Sequence, residues 1–509
     1  MPTTRTPKIK WPKASEKAPW KQFDEDLDII LESSMQGPVH RKLHTLTTLV
    51  YSVAKERFGI EEAKKRKEAP KPNRRQHRIE NLRKEIRQLK KQYRDSSPMQ
   101  RLGLSQLRDT LRTQLKSLRQ AENTRRKARE RTRKRAAFTA NPFKFAKTLL
   151  DKERSGTLET PLEEVEKYLH DTHSDVNRED ALGDCDRIDP ALPPETPLVT
   201  TEPTLGEVKD VIKKARWGSA PGPNAIPYKA YKMCPLLLKR LWRLLKVVWR
   251  KGEVPEAWKE AEGIFTPKER NSKTVNQFRT ISLLNVEGKI FFAILARRLT
   301  SFLTTNAYID TSVQKGGVPG FSGCVEHTSA ISQLIQEAKT GKKDLTVVWL
   351  DLANAYGSIP HQLIYTALQH YHVDNHVQKI ITSYLDGIKL RFSVGDQLTK
   401  WQKLEKGIVT GCTVSVVLFV MGMNLLINAA IRETRGPKTE SGIYLPSSRG
   451  FMDDLTLTTP THVQARRMLT ALTDVASWAR MKFKAVKSRS LIIKKGKTKD
   501  RFVLRVQND

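Results

Sequence analysis

The sequence predicts an α+β fold, and three observations carry that expectation. Past about residue 205 the apolar residues alternate between a helical spacing and a strand-like one. Val347 to Leu350 has the length and composition of a short buried strand, and Gly450 to Leu457 reads as two short strands with Asp453 and Asp454 at the turn between them. Each carries aspartate at its end or turn: Asp351 after the first, Asp453 and Asp454 within the second. Ahead of both lies a helical, strongly basic region.

A chain of 509 residues that is 38% apolar has room for roughly two to four domains with real cores. Its net charge of +36 makes a polyanion the expected partner, nucleic acid ahead of a membrane surface. Cys185, Cys234, Cys324 and Cys412 form no C-x-x-C pair, which argues against a disulfide framework or zinc finger and fits a reducing compartment. Met1 to Lys13 is basic and lacks the apolar core of a signal peptide. The most apolar run, Val414 to Ala430, falls short of the roughly 20 residues a membrane span needs and contains Asn424 and Asn428, so a buried helix is expected there.

In chain order, residues 1–60 read as an N-terminal tail with a helical segment, and residues 61–150 as a basic helical hairpin. Ile79, Leu82, Ile86, Leu89 and Tyr93 recur in steps of three and four, and Leu104, Leu107, Leu111, Leu115 and Leu118 form a second stripe. Ser96-Ser97-Pro98 breaks the helix between them. The two helices either fold back on each other or pair in a dimeric coiled coil. Residues 61 to 140 hold 27 Lys and Arg against 9 Asp and Glu. An excess so one-signed, continued through Arg125, Arg126, Lys127, Arg129, Arg131, Arg133, Lys134 and Arg135, favours phosphate binding over an ordinary solvated face. These clusters and Lys64-Lys65-Arg66-Lys67 also have the character of nuclear-localisation signals. Residues 151–204 read as a linker, with 11 acidic residues against 3 basic between 161 and 200 and prolines from Pro190 to Pro203. Beyond it, Glu207 to Arg216 and Leu236 to Lys251 are helical in pattern, with Ala220 to Asn224 a loop between them.

The chemistry is concentrated after residue 260. Asp351 and, 102 residues later, Asp453 with Asp454 would supply hard oxygen ligands from rigid strands. Two divalent ions about 3.5–4 Å apart need such ligands in phosphoryl transfer, one activating a primer 3′-hydroxyl and the other holding the incoming triphosphate. A turn or a helix cap would explain either motif alone; their order and flanking segments point to a template-directed polymerase. Ile264 to Lys268 and Phe278 to Leu284 read as a hairpin, with Lys268 and Arg279 on either side of a polar turn, placed over a nucleotide. Tyr356, five residues after Asp351, would set an aromatic ring under the sugar where a 2′-hydroxyl clashes, favouring deoxynucleotides. Gly407 to Ser415, with Thr410 and Gly411 at its centre, is a glycine-punctuated turn that lets backbone approach a nucleotide or template base. Lys487 is placed to neutralise departing pyrophosphate. His170, His173, His370, His372 and His376 lack cysteine partners and read as structural or surface residues.

In order, these segments resemble the reverse transcriptase of non-LTR (LINE-like) retrotransposons over roughly residues 205 to 509. The likeness includes Ser219 to Pro227, Phe278 to Leu284 with Lys289-Ile290-Phe291, Gln314-Lys315-Gly316 to Glu326-His327, and the segments around Asp351, Gly407, Asp453 and Lys487. Gly323-Cys324-Val325-Glu326-His327 looks most like the elements that carry a restriction-like endonuclease. The resemblance implies a right-hand polymerase fold with fingers at about 205–340 and palm at about 341–509. It also implies RNA-directed DNA synthesis from dNTPs with two Mg2+ (or Mn2+) ions. The catalytic acids then fall on Asp351, Asp453 and Asp454, and the metal ligands on Asp351, Asp453 and the Leu352 backbone carbonyl. Nucleotide contacts fall on Lys268, Arg279, Tyr356, Thr410, Gly411 and Lys487. Template RNA, a DNA primer or target and dNTPs are the implied partners, with no membrane, a dimer through the N-terminal helices, and a ribonucleoprotein of nucleus and cytoplasm. Thr410 stands where the family usually has glutamine, and Val416 where proline commonly follows the serine. The chain stops at Asp509, before the place of the family's thumb, so a C-terminally truncated element is expected. The alternative is a non-catalytic RNA- or DNA-binding remnant.

Overall fold

A computed structural model describes residues 5–61, 73–150, 155–318, 324–500 and 502–507. Lys64 to Lys67, Gly323 and Asp509, singled out above, lie outside the described residues. The chain divides into two units, residues 1–61 with 155–509 and residues 62–154.

Ten strands are present among the described residues of the larger unit: β1 (Glu260–Pro267), β2 (Phe278–Leu284), β3 (Leu345–Leu350), β4 (Lys389–Val394), β5 (Gln397–Leu398), β6 (Gln402–Lys403), β7 (Ser448–Phe451), β8 (Asp454–Thr459), β9 (Arg489–Lys494) and β10 (Lys497–Thr498). The first sheet has the order β2-β1-β4-β5, with β6 also on β4; the second has the order β10-β9-β3-β8-β7 and is antiparallel throughout. The mixed helix and sheet architecture agrees with the α+β expectation.

β3 occupies the middle of the second sheet because apolar side chains cover both of its faces. Leu345 and Val347 pack with Ile331, Leu334 and Ala338 of the helix Val325–Thr340. Val348 and Leu350 point the other way, into the main core with the helices Thr413–Ile431 and His462–Trp478. Trp349 shares the face of Val347 but lies nearer the open end of the strand and stays 36% exposed, so burial of Val347 to Leu350 is incomplete. The helix Thr413–Ile431 is long and apolar enough to cross a membrane, yet its side chains are buried against helices Val286–Thr305, His361–His370 and His462–Trp478.

Residues 5–61 join the larger unit. Trp11, Trp20, Phe23 and Phe58 cluster between the helices Lys17–Ser34 and Val39–Phe58. Asp24, buried, accepts hydrogen bonds from the Leu236 and Leu237 N–H groups at 2.9 and 3.0 Å and so caps the helix Pro235–Lys251 from outside. Burial pushes the Asp24 carboxyl above the usual range, and the two N–H bonds oppose that shift.

The stretch read as an acidic linker is, from residue 155 on, bound to this body. Arg178 pairs with Asp386 at 2.8 Å, and Arg187 reaches Glu433 at 3.0 Å and Asp474 at 2.9 Å. Arg480 donates to the carbonyls of Asn177 and Asp180, and Val165, Leu169 and Leu198 are buried. Composition counts charge but not its partners, and these few arginines and apolar anchors outweigh the acidic average.

The smaller unit is the antiparallel member of the two hairpin alternatives. Helix Arg74–Asp95 starts at an Asn73 capping box and buries Ile79, Leu82, Ile86 and Leu89. After Ser96-Ser97 the helix Pro98–Ala140 runs back, and Asn73 meets Glu122 across the pair at 2.9 Å. Leu104, Leu111, Leu115 and Leu118 are half-buried on its seam, whereas Leu107 is exposed. Residues 123–140 continue past the pairing as fully exposed helix, and Arg125 to Arg135 lie there. A short third helix, Pro142–Leu150, follows, with Phe145 edge-on to Phe138.

Candidate active site

Strand register assembles the acids. β3 and β8 pair from Thr346 with Thr459 to Leu350 with Leu455. The next residues, Asp351 and Asp454, therefore face each other on the side of the sheet opposite Leu350 and Leu455. β7 and β8 are joined by the two-residue turn Met452-Asp453, which sets Asp453 at its tip. Met452 takes φ +62°, the sign that the first position of a type II′ hairpin turn requires. A non-glycine residue there costs on the order of 1–3 kcal/mol, so neighbouring groups must hold it. Burial first, then the charges of Asp453 and Asp351, push the Asp454 carboxyl above the usual range. The three acids thus share one field.

Cations gather at the same place. Lys487 Nζ lies 3.6 Å from the Asp351 carboxylate, whose side chain is 32% exposed. The Asp351 backbone is fixed by the Lys484 N–H at 2.7 Å and by its own N–H to Ser488 Oγ at 3.3 Å. From the β1–β2 hairpin, Arg279 stands opposite Thr266, and Lys268 donates to the Asn276 carbonyl at 2.8 Å. Partial burial, and then the neighbouring Lys487, Arg279 and Lys484, lower the Lys268 pKa. Lys268, Arg279, Lys484 and Lys487 therefore form one cluster of positive charge. Lys484 was not singled out in the sequence; its spacing of three from Lys487 across a single 3-10 turn is the signal that could have found it.

Tyr356 lies in the short helix Ala355–Ser358 with its ring stacked on Phe419, centroids 4.7 Å apart and 12° from parallel. Burial and the Asp453 charge raise its phenol pKa, which places the ring within the field of the hairpin tip. Its carbonyl accepts from the Ile408 N–H at 2.8 Å, tying it to the glycine-punctuated turn. The close approaches that turn makes here are to protein: a Cβ on Gly407 would lie 2.7 Å from the Gly357 carbonyl oxygen, and one on Gly411 2.4 Å from that of Ser282. Thr410 Oγ1 accepts from the Ser282 N–H and donates to the Thr280 carbonyl, both at 3.3 Å. It latches β2, the strand of Arg279, to the turn beside Tyr356. Of the five histidines singled out earlier, His173 is buried, with its carbonyl accepting from the Glu405 and Lys406 N–H groups, whereas His170 and His372 are exposed.

Among the described residues no three His, Cys, Asp or Glu side chains converge closely enough to form a metal-binding group by themselves. The donor chemistry nonetheless fits a hard divalent cation: clustered carboxylates with a mutually raised Asp454, and the Leu352 carbonyl next to Asp351.

Aspartates on a central strand and an adjoining hairpin, faced by cations from a separate sheet, have the layout of a nucleic-acid polymerase palm and fingers. Residues 266–502 match the family profile of the reverse transcriptase (RNA-dependent DNA polymerase), and the relatives that share this stretch support a reverse transcriptase domain of the non-LTR retrotransposon kind there. It is 25% identical over 280 residues to the Retrovirus-related Pol polyprotein from type-2 retrotransposable element R2DM of Drosophila melanogaster, covering 54% of this chain and 25% of that protein. It is also 25% identical over 246 residues to the type-1 element R2 Pol polyprotein of Nasonia vitripennis, covering 48% of this chain and 22% of that one. A third relative is the RNA-directed DNA polymerase from mobile element jockey of Drosophila melanogaster, 25% identical over 219 residues, or 42% of this chain and 24% of that protein. The matched stretch thus spans a quarter or less of these relatives.

Proposed function

We propose that this chain extends a DNA primer on an RNA template, joining the primer 3′-oxygen to the α-phosphorus of a dNTP and releasing pyrophosphate. The observation that carries this reading is that Asp351, Asp453 and Asp454 lie at one sheet end, near the cations Lys268, Arg279, Lys484 and Lys487. Asp351, Asp453 and the Leu352 carbonyl would hold two divalent ions, Mg2+ or Mn2+, which supply Lewis-acid activation of the hydroxyl and charge neutralisation at the triphosphate. Asp454, strand-bound beside them, orients the pair. Lys268 and Arg279 bind the triphosphate from the fingers side, and Lys487 exchanges its contact with Asp351 for the departing pyrophosphate. Tyr356, fixed by Phe419 and Ile408, packs beneath the deoxyribose and excludes a 2′-hydroxyl. Thr410 and Gly411 hold the β1–β2 hairpin at the distance the nucleotide needs. The exposed basic helix from Arg125 to Arg135 binds the RNA backbone through phosphate contacts.

Primer extension on an RNA template with dNTPs and Mg2+ tests the reading, with the chain run beside its Asp453→Asn variant. Extension by the parent alone supports it. No extension with tight RNA binding retained would make the chain a nucleic-acid-binding remnant instead.

A further inference from the structure

We infer that Gln314 is a positioning residue for catalysis, acting as a clamp that holds the strained turn carrying Asp453. The segment 313–316 runs beside β7, the edge strand of the second sheet: the Gly450 N–H donates to the Val313 carbonyl at 2.8 Å and the Lys315 N–H to the Gly450 carbonyl at 3.1 Å. His327 Nε2 reaches the same Gly450 carbonyl at 3.2 Å. An edge strand carrying a catalytic hairpin has a neighbour on one side only, and this strap supplies the other.

Within the strap, the fully buried Gln314 turns its side chain toward the hairpin. Its Oε1 accepts two backbone hydrogen bonds, from the Met452 N–H at 3.1 Å and from the Gly316 N–H at 2.9 Å. Its Nε2 has no hydrogen-bond partner among the described residues, and it is the oxygen that reaches the turn. Met452 is the residue forced to φ +62°, directly before Asp453. Gly316 completes the fit, because a Cβ there would lie 2.2 Å from the Met452 nitrogen. One side-chain oxygen therefore binds the strap to itself and to the strained residue of the catalytic turn. A polar side chain with a length that reaches both N–H groups is needed; an apolar one would leave two buried donors without acceptors.

The inference rests on the polymerase reading, and its test has one readout independent of DNA synthesis. Gln314→Met keeps the chain length and removes the acceptor. The expected result is a kcat lower by about 10²-fold, as for a small displacement of a catalytic group, with the KM for dNTP and the affinity for template–primer changed less than about twofold. Amide hydrogen exchange over residues 452–455 should quicken at least about tenfold. Adding Met452→Gly should recover roughly tenfold of the lost kcat, because glycine adopts a positive φ without support; a purely structural role for Gln314 would not be rescued in this way. Wild-type kcat and unchanged exchange in Gln314→Met, or no recovery in the double variant, would overturn the inference. Should Gln314→Met fail to fold, Gln314→Glu, which keeps an acceptor oxygen, decides by exchange: protected amides at 452–455 support the clamp and unprotected ones overturn it. A parent chain that makes no DNA would refute the polymerase reading, while the exchange measurement still decides the clamp.

Discussion

Mild acid should loosen this protein beneath the glycine-punctuated turn at Gly407, through His361 and His173. His361 is 1% exposed and its Nε2–H donates to the Gly407 carbonyl at 2.9 Å, while its Nδ1 has no hydrogen-bond partner among the described residues. Protonation would put a charged donor at that nitrogen with nothing to accept from it. Burial, with Arg178 adding to it against the Gly407 bond, holds His361 down to about 4, and burial likewise holds the 8% exposed His173 at about 4. Unfolded histidine titrates near 6.5. Between pH 6.5 and 4 the unfolded chain therefore binds more protons than the folded one, so stability is complete above about 6.5 and falls as pH drops through that window. For one histidine with these values, going from pH 7 to pH 5 removes about 2 kcal/mol, and for both about 4 kcal/mol. The loss is local in consequence, because Gly407 adjoins the Ile408 N–H that holds the Tyr356 carbonyl. Equilibrium urea unfolding at pH 7 and 5, for the parent and for His361→Gln, measures it. Glutamine can donate to Gly407 but does not titrate, so the variant should lose about 2 kcal/mol less on acidification. Equal pH dependence in the two proteins would refute the argument.

Three further outcomes follow from the site and the basic helix. Tyr356→Ala should raise ribonucleotide incorporation relative to deoxynucleotide by about tenfold or more, since one steric conflict in a pocket is worth about 1–3 kcal/mol; single-nucleotide extension with rNTP against dNTP measures it. Thr410→Val removes the hydroxyl that joins Ser282 to Thr280, so stability should fall by about 1 kcal/mol. Its KM for dNTP should rise more than its kcat falls, read from steady-state extension. Replacing Arg125, Arg129, Arg131 and Arg133 with Gln should lower the slope of log affinity for single-stranded RNA against log salt by about 3, through four lost phosphate contacts. An unchanged slope would make that helix a protein-binding element.

How much could be read in advance depended on whether a feature was local. The strand before Asp351, the β1–β2 hairpin with Lys268 and Arg279, and the helix break at Ser96-Ser97-Pro98 are set by periodicity and turn chemistry within a few residues, and the structure has them where the pattern placed them; the second hairpin turns one residue earlier than expected, at Met452-Asp453, so that Asp454 opens β8. The path of residues 155–204 was not legible, because arginine ties to Asp386, Glu433 and Asp474 join residues more than 200 positions apart. Lys484 goes unmarked in the sequence, and Gln314 enters it only within a segment of the family likeness and without a role, for a related reason. A lysine near a 3-10 turn and a glutamine in an irregular segment carry no pattern of their own, and their meaning comes from what lies opposite.

The sequence by itself determined the inventory of this site: which acids, which cations, which aromatic ring, and the strand and turn character of the segments that bear them. Only the tertiary structure decided the register that sets Asp351 against Asp454, the approach of the Lys268 hairpin to Lys484 and Lys487, and the strap that holds Met452. The physical reason is that side-chain chemistry and backbone preference are properties of neighbours in the chain. Electrostatic fields, hydrogen-bond partners and close packing are properties of neighbours in space.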